Sequence, residues 1–341
     1  MARLFLVALM VLLAACKSDP VTLTFSGETM GTTYNIIAVD KTAALSPDVV
    51  QDAITQALDQ VNAQMSNWDP RSEISRFNAA AVTDPIEISP ELAKVMRAAT
   101  EIHRKSEKLF DVTLGPLIEI WGFGARNANS PVPSDATIQA ALAMVGQDKI
   151  LSLSAAPNSL RKSLPETSVY LAAIAKGYGV DQVAAALQAA GLRDYMVEIG
   201  GDLVTAGQNP NGASWRIGIE RPDAAAQTIE EILDVSGLGM ATSGDYRNYF
   251  EQDGIRYSHI IDAVTGRPIT HGTASVTVLA DSAMMADGWA TALLALGQDR
   301  GLPIAEAEGL AVLFIARQPD SGETGFEITV STQFAKLQAE Q

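Results

Sequence analysis

The sequence contains one cysteine in 341 residues, Cys16. A disulfide framework needs at least two, and a zinc ribbon or a cysteine-ligated iron–sulfur cluster needs more, so all three are excluded. Histidine is nearly as scarce, with His103, His259 and His271 alone. Basic residues are short as well: 24 Lys and Arg stand against 40 Asp and Glu, a formal net charge of −16. A surface that negative repels phosphate backbones, so nucleic acid is not an expected partner. An anionic small molecule would need a local cation, a metal ion or backbone N–H groups. Proline and glycine, 15 and 26 residues, are too few for a collagen-like or low-complexity chain, and the 47% hydrophobic content excludes intrinsic disorder. There is no P-loop, no H-E-x-x-H and no nucleophile elbow. The Gly122–Gly124 stretch carries Asn127 where a Rossmann turn has its third glycine.

What is present begins with an address. Arg3 gives a positive start, and residues 4–13 are apolar but too short to span a bilayer as a mature helix. The segment ends Leu13-Ala14-Ala15-Cys16, which resembles a bacterial lipobox. The expectation is a signal peptide over residues 1–15 and one domain over residues 16–341, lipid-anchored through Cys16. An ordinary cleaved signal with an incidental cysteine is the alternative. Acyl chains hold a protein at a membrane without a basic patch. The expected location is the periplasmic side, at the inner membrane.

Residues 21–39 alternate and read as two short strands around Gly27. Residues 47–65 place Val50, Ile54, Leu58 and Val61 at helical spacing, with Ser46 as N-cap and Pro47 at N1. Residues 89–108 form a second helix, 122–134 a surface loop, 135–145 a short helix, and 149–170 strands around a turn at Pro157. Residues 172–190 are an Ala-rich helix stopped by Gly191. Strands follow at 195–199 and 215–220, and a hairpin over 246–261 turns at Asp253-Gly254. A strand at 275–280, a helix at 283–296 and strands at 311–316 and 326–330 close the chain. Strands and helices mix without a regular βαβ alternation. The fold class is therefore α+β, with mixed, largely antiparallel sheets flanked by helices.

Several residues could carry chemistry. His259 falls on the second hairpin strand, where an imidazole titrating near neutrality suits a general base; a structural histidine bonded to a carbonyl is the competing reading. Asp287 and Thr291 stand one turn apart on an otherwise apolar helix. A carboxylate and a hydroxyl so placed offer two hard oxygens for Mg²⁺, or the carboxylate caps a neighbouring loop. Lys176-Gly177 at a helix start and Gly200-Gly201 after a strand are places where backbone can approach a phosphate, or are simply a helix start and a turn. Trp68, in a polar turn, is a stacking platform or a partly buried anchor.

Eight ordered motifs carry a resemblance: Thr29-Met30-Gly31-Thr32, Ser72-Glu73-Ile74-Ser75-Arg76-Phe77-Asn78, Phe110-Asp111-Val112-Thr113, Ile174-Ala175-Lys176-Gly177-Tyr178, Ile199-Gly200-Gly201-Asp202, Ala241-Thr242-Ser243-Gly244-Asp245-Tyr246, His259-Ile260-Ile261-Asp262 with Thr265-Gly266, and Ala286-Asp287 with Ala290-Thr291. Together they resemble the ApbE-type FAD:protein FMN transferases and cover most of the mature chain. The resemblance implies an ApbE-like fold and a Mg²⁺-dependent transfer. A Thr or Ser hydroxyl of a partner protein attacks the FMN-side phosphorus of FAD, AMP leaves, and FMN stays on the partner as a phosphoester. It implies that Asp287, Thr291 and the Ala173 carbonyl hold Mg²⁺. It implies that Met30, Trp68, Leu109, Phe110, Asp111, Lys176 and Ile261 line the FAD site, and that His259 is the catalytic base. Periplasmic redox subunits carrying the acceptor hydroxyl are the implied partners. The chain departs from the family at Tyr170, where an Asp is frequent, at Trp68, where a Tyr is frequent, and at Ala290, where some members have a second Asp. An FAD pyrophosphatase releasing FMN and AMP, and a non-catalytic flavin-binding lipoprotein, are the alternatives.

Overall fold

The computed structural model describes residues 19–123, 131–222, 228–318 and 325–340. The signal segment, Cys16 and residues 124–130 of the expected surface loop lie outside the described residues. The first half of the chain contains β1 (Val21–Thr29), β2 (Thr32–Asp40), α1 (Pro47–Met65), α2 (Glu73–Ala79), β3 (Ile86–Glu87), α3 (Pro90–Lys105), α4 (Gly115–Trp121), α5 (Asp135–Leu142), α6 (Gln147–Ile150), β4 (Leu151–Ala155), β5 (Asn158–Lys162) and α7 (Ala175–Ala189). The second contains β6 (Asp194–Ile199), β7 (Asp202–Ala206), β8 (Trp215–Glu220), β9 (Ile229–Val235), β10 (Gly239–Gly244), β11 (Tyr249–Gln252), β12 (Ile255–Ser258), β13 (Thr273–Ala280), α8 (Ala283–Leu296), α9 (Gln298–Glu308), β14 (Ala311–Arg317), β15 (Phe326–Val330) and α10 (Thr332–Ala339).

The frame is an eight-stranded antiparallel sheet in the order β1-β2-β6-β7-β10-β13-β14-β15. One face carries α1, α3, α7 and α8, which bury two apolar clusters against it. The other is covered by the two-stranded ribbon β8–β9 and by α10, through Trp215, Ile217, Leu233 and Phe334. Coverage on both faces explains why β13 is buried along nearly its whole length. The ribbon strand β8 keeps the expected alternation, with Trp215, Ile217 and Ile219 buried against the sheet. A satellite core joins α4 and α5 to the hairpin β11–β12 through Leu117, Trp121, Ile138, Ile261 and Tyr257. Among the described residues, no helix is long and apolar enough to cross a membrane.

The α+β expectation holds, as do the bounds of α1 and α8, whereas several local readings are corrected. Gly27 does not break the first strand pair, because it lies inside β1 opposite Tyr34. The turn is Met30-Gly31, both at positive φ (51° and 75°), the two-residue hairpin geometry that matches strand twist. Ser46 occupies the N-cap of α1 without a side-chain cap bond, so Pro47 sets that helix start by its fixed φ. Ser89 does cap α3, accepting from Leu92 N. The Ala-rich helix starts at Ala175 rather than at 172. Residues just before it are held extended: Asn78 bonds Val169, Asn67 bonds Leu171, and Tyr170 N donates to Val112 O. The hairpin strand β12 ends at Ser258, so His259 follows the strand rather than standing on it.

Candidate active site

The site forms where the β1–β2 turn, the start of α7, the β6–β7 turn and one face of α8 converge. The start of α8 nests against α7 and β10 because two glycines allow it. A Cβ on Gly177 would stand 2.2 Å from Ala283 O, and one on Gly239 would stand 2.3 Å from Ala283 N. Gly177 therefore serves helix–helix approach, which corrects its reading as a point of backbone approach to phosphate. The helices also cap each other. Asp181 of α7 accepts from Ala283 N and Met284 N at the start of α8, at 2.8 and 3.0 Å. Asp287 of α8 accepts from Gly177 N at the start of α7, at 3.0 Å.

A cavity of about 300 Å³ opens beside this junction. Met30, Thr32, Asn67, Trp68, Tyr170, Ala172, Lys176 and Gly200 line it. Met30 is presented by its positive-φ turn, and its side chain lies where a Cβ on Gly179 would meet it. Trp68 is 74% exposed, so its ring is a free face at the mouth rather than a buried anchor. Tyr170 lies between Val169 and Leu171, whose N–H groups Asn78 and Asn67 hold, and Ala172 opens the turn into α7. Gly200 and Gly201, at φ 54° and 95°, make the β6–β7 turn, and Gly200 also lines the cavity.

Lys176, in the cavity lining, belongs to a charge cluster. Lys176 Nζ lies 2.5 Å from Asp202 Oδ2, and Asp202 and Asp287 are both buried. Burial is the main cause that raises the pKa of Asp202 well above the usual carboxylate range, and the neighbouring Asp287 adds to it. Burial likewise raises Asp287, against the pull of Lys176 and the Gly177 N–H. Burial works against the charge of Lys176, but Asp202 and Asp287 outweigh it and hold the ammonium form. With one ammonium beside them, two buried carboxyls are not both ionised cheaply; the cluster either holds a proton or accepts a further cation. Thr291, one turn beyond Asp287, shares a hydrogen bond with Ser243 of β10 at 3.1 Å. A buried carboxylate and a hydroxyl one helical turn apart are hard oxygens of the kind that suits Mg²⁺. Asp202 ends the Ile199-Gly200-Gly201-Asp202 motif and has no role among the sequence expectations. Its place follows from the tight β6–β7 turn, which spacing alone does not show.

His259 lies at the end of the hairpin. Its backbone N–H and its Nδ1 both reach the Asn248 carbonyl, at 3.1 and 2.9 Å. A carbonyl only accepts, so Nδ1 carries the proton and Nε2 keeps its lone pair. Burial pushes the imidazole pKa below its ordinary value, partly offset by the Asn248 contact and Asp245. The ring is therefore a neutral base at neutral pH. Asp245 anchors the hairpin to the main sheet: Arg317 grips it at 2.6 and 2.9 Å, and Arg256 of β12 at 2.9 Å.

Of the residues expected around FAD, the cavity brings together Met30, Trp68 and Lys176. Leu109, Phe110 and Asp111 are buried and do not line it. Asp111 accepts from Thr113 N and from Gln147 N, closing its own loop. Ile261 is buried in the satellite core and bridges Pro268.

The ApbE family model matches residues 30–314. A protein of Vibrio cholerae named FAD:protein FMN transferase is 44% identical over 334 residues, covering 97% of this chain and 98% of its own. A Haemophilus influenzae protein of the same name is 42% identical over 335 residues, covering 97% of this chain and 96% of its own. Among solved structures, the flavin transferase ApbE from Vibrio cholerae superposes with a TM-score of 0.85 at 42% identity, covering 93% of this chain and 99% of that one. The apo form of the Pseudomonas stutzeri flavinyl transferase ApbE gives 0.84 at 37% identity, covering 94% and 97%.

Proposed function

This chain belongs to the ApbE family, and on that premise we propose that it is an FAD:protein FMN transferase, moving FMN from FAD to a Ser or Thr hydroxyl of a partner protein. The observation that carries this reading is one cavity with an exposed indole and Lys176 in its lining, Lys176 being paired with Asp202 and followed by Gly177, whose N–H Asp287 holds. Trp68 offers a stacking face for a planar ring, and Met30 packs at the turn beside it. Lys176 meets a phosphate oxygen. The N–H groups at the start of α7 add a positive dipole end. Asp287 and Thr291, with the Ala173 carbonyl, are the residues that would hold Mg²⁺, which screens diphosphate charge when bound.

His259 Nε2 takes the proton of the acceptor hydroxyl as its oxygen bonds to the FMN-side phosphorus. The bond from that phosphorus to the bridging oxygen breaks, and AMP leaves with the electron pair. The Asn248 carbonyl keeps the imidazole in the tautomer this step needs. We further propose that Cys16 is lipidated, that the enzyme faces the periplasm from the inner membrane, and that its acceptors are periplasmic redox subunits. The Leu13-Ala14-Ala15-Cys16 sequence supports the anchor.

The test is incubation with FAD, Mg²⁺ and membranes of the source cell. An SDS-resistant fluorescent polypeptide is expected with Mg²⁺ and absent without it. AMP release with no labelled polypeptide would instead make the chain an FAD pyrophosphatase.

A further inference from the structure

The main sheet has a gap beside the site. The ladder between β10 and β7 stops at Met240 opposite Leu203. The ladder between β10 and β13 continues to Gly244 opposite Ser275. The β6–β7 hairpin turns at Gly200-Gly201, so among the described residues no strand pairs with the β7-side edge of Thr242, Ser243 and Gly244. An unpaired edge of main-chain donors and acceptors is a template for another strand. Below that edge runs a trough of about 460 Å³ between the sheet and the β8–β9 ribbon, lined by Thr32, Gly200, Gly218, Thr242, Gly244 and Arg247 among others. It shares Thr32 and Gly200 with the flavin cavity, so the two hollows meet at the β6–β7 turn.

We propose that the hydroxyl-bearing segment of the acceptor protein docks here as an added strand on the open edge of β10. The inference rests on the transferase reading and names how its second substrate arrives. Transfer needs a protein main chain to reach the phosphorus while FAD fills the Trp68 cavity, and the trough reaches the same turn from the other side. Strand alternation decides the aim. Thr242 and Gly244 face the trough, while Ser243 points the opposite way and bonds Thr291. A strand laid along this edge alternates in the same manner. Every second side chain enters the trough, and the residue between them turns toward Thr291 and Lys176. A Ser or Thr at that intermediate position brings its hydroxyl to the phosphate end of the site.

Two measurements test this, using as probe the source-cell polypeptide that becomes fluorescent in the assay above, purified unlabelled. The first is Thr242→Arg, whose longer side chain would stand in the trough, on the strand face opposite Ser243 and Thr291. The KM for the probe is expected to rise about tenfold or more, while the FAD dissociation constant changes less than about twofold. An unchanged probe KM, or an FAD affinity that falls in step, would overturn the proposal, the latter by assigning the trough to the dinucleotide. The second is hydrogen exchange of the unmodified protein. Amides of Thr242–Gly244 should slow when the probe is added, whereas those of the outer strand β15 should not. No slowing at Thr242–Gly244 would equally overturn it. If no polypeptide is labelled by the unmodified protein, the transferase reading falls first and this proposal with it. Labelling that persists normally in Thr242→Arg removes this proposal alone.

Discussion

Replacing Gly177 by alanine adds one methyl group where α7 passes α8. The added Cβ would lie 2.2 Å from Ala283 O, 2.6 Å from Ala283 C and 2.8 Å from Asp287 Cβ. Two of these three atoms are backbone and cannot swing away. Comfortable carbon contacts begin near 3.5 Å, so the helices must part by roughly 1 Å. Overpacking of this kind costs about 1–3 kcal/mol. At a few degrees per kcal/mol for a chain this size, the melting temperature should fall by roughly 2–8 °C. The larger effect is on geometry. The same shift stretches the Gly177 N–H bond to Asp287 and moves that carboxylate relative to Lys176 and Asp202. A misplacement of about 1 Å at a reacting centre costs about a hundredfold in rate. Flavin transfer and thermal unfolding are measured on this variant and on Gly115→Ala. A Cβ at 115 meets nothing closer than 3.4 Å. Gly115→Ala should behave as the unmodified protein. A Gly177→Ala protein with unchanged melting and activity would refute the close approach and the site built on it.

His259→Ala should lower transfer by about 10²–10⁴-fold with FAD affinity kept, checked by single-turnover labelling and flavin fluorescence. Because burial lowers the imidazole pKa below 6.5, the acid limb of the pH–rate profile should fall below that value. The neutral ring is also the form the fold favours. Its stabilising share is complete above 6.5 and is lost as pH drops through the folded-state pKa, visible as declining melting temperature. Asp287→Ala should abolish labelling and remove the rise in melting temperature that Mg²⁺ gives the unmodified protein, about 2.7 kcal/mol at a hundredfold excess over its dissociation constant. Asp245→Ala leaves Arg256 and Arg317 without their shared carboxylate. As those guanidinium groups are 30% and 33% exposed, the loss should be about 2–3 kcal/mol by denaturant unfolding, below the range for fully buried pairs.

The helices that pack one apolar face were legible in the sequence because periodicity is set by burial. Residues 47–65 and 283–296 came out with their observed bounds. Strands that owe their place to partners far along the chain were not. β7 and β10 are short, glycine-flanked and exist because the eight-stranded sheet pairs them. Missing them hid both the gap beside Thr242 and the position of Asp202. Glycines were legible as special but not in purpose. Gly177 and Gly200 read alike as phosphate-approach points. One admits a helix, and the other makes a turn that also lines a cavity. The Asp287–Thr291 pair was legible because helical spacing and an apolar surround are local facts. Its neighbours Asp202 and Ser243 come from strands on the opposite side of the α8 junction.

The burial of Asp202 beside Asp287 works against the stability of the metal-free protein. Both pKa values are raised, mainly by burial. A carboxyl with a raised folded pKa holds its proton more firmly in the folded state. Its contribution to stability is therefore most favourable at low pH and declines as pH climbs from the unfolded carboxylate range through the folded value. A chain with only 24 basic residues against 40 acidic ones has few cations to place near a diphosphate. Answering the cluster entirely with lysines would satisfy the carboxylates but leave no vacancy for a divalent ion. A single lysine, Lys176, leaves the pair under-neutralised and hence ready for one. The reciprocal caps of α7 and α8, Asp181 on Ala283 N and Met284 N and Asp287 on Gly177 N, are what hold these carboxyls close together against the cost of their burial.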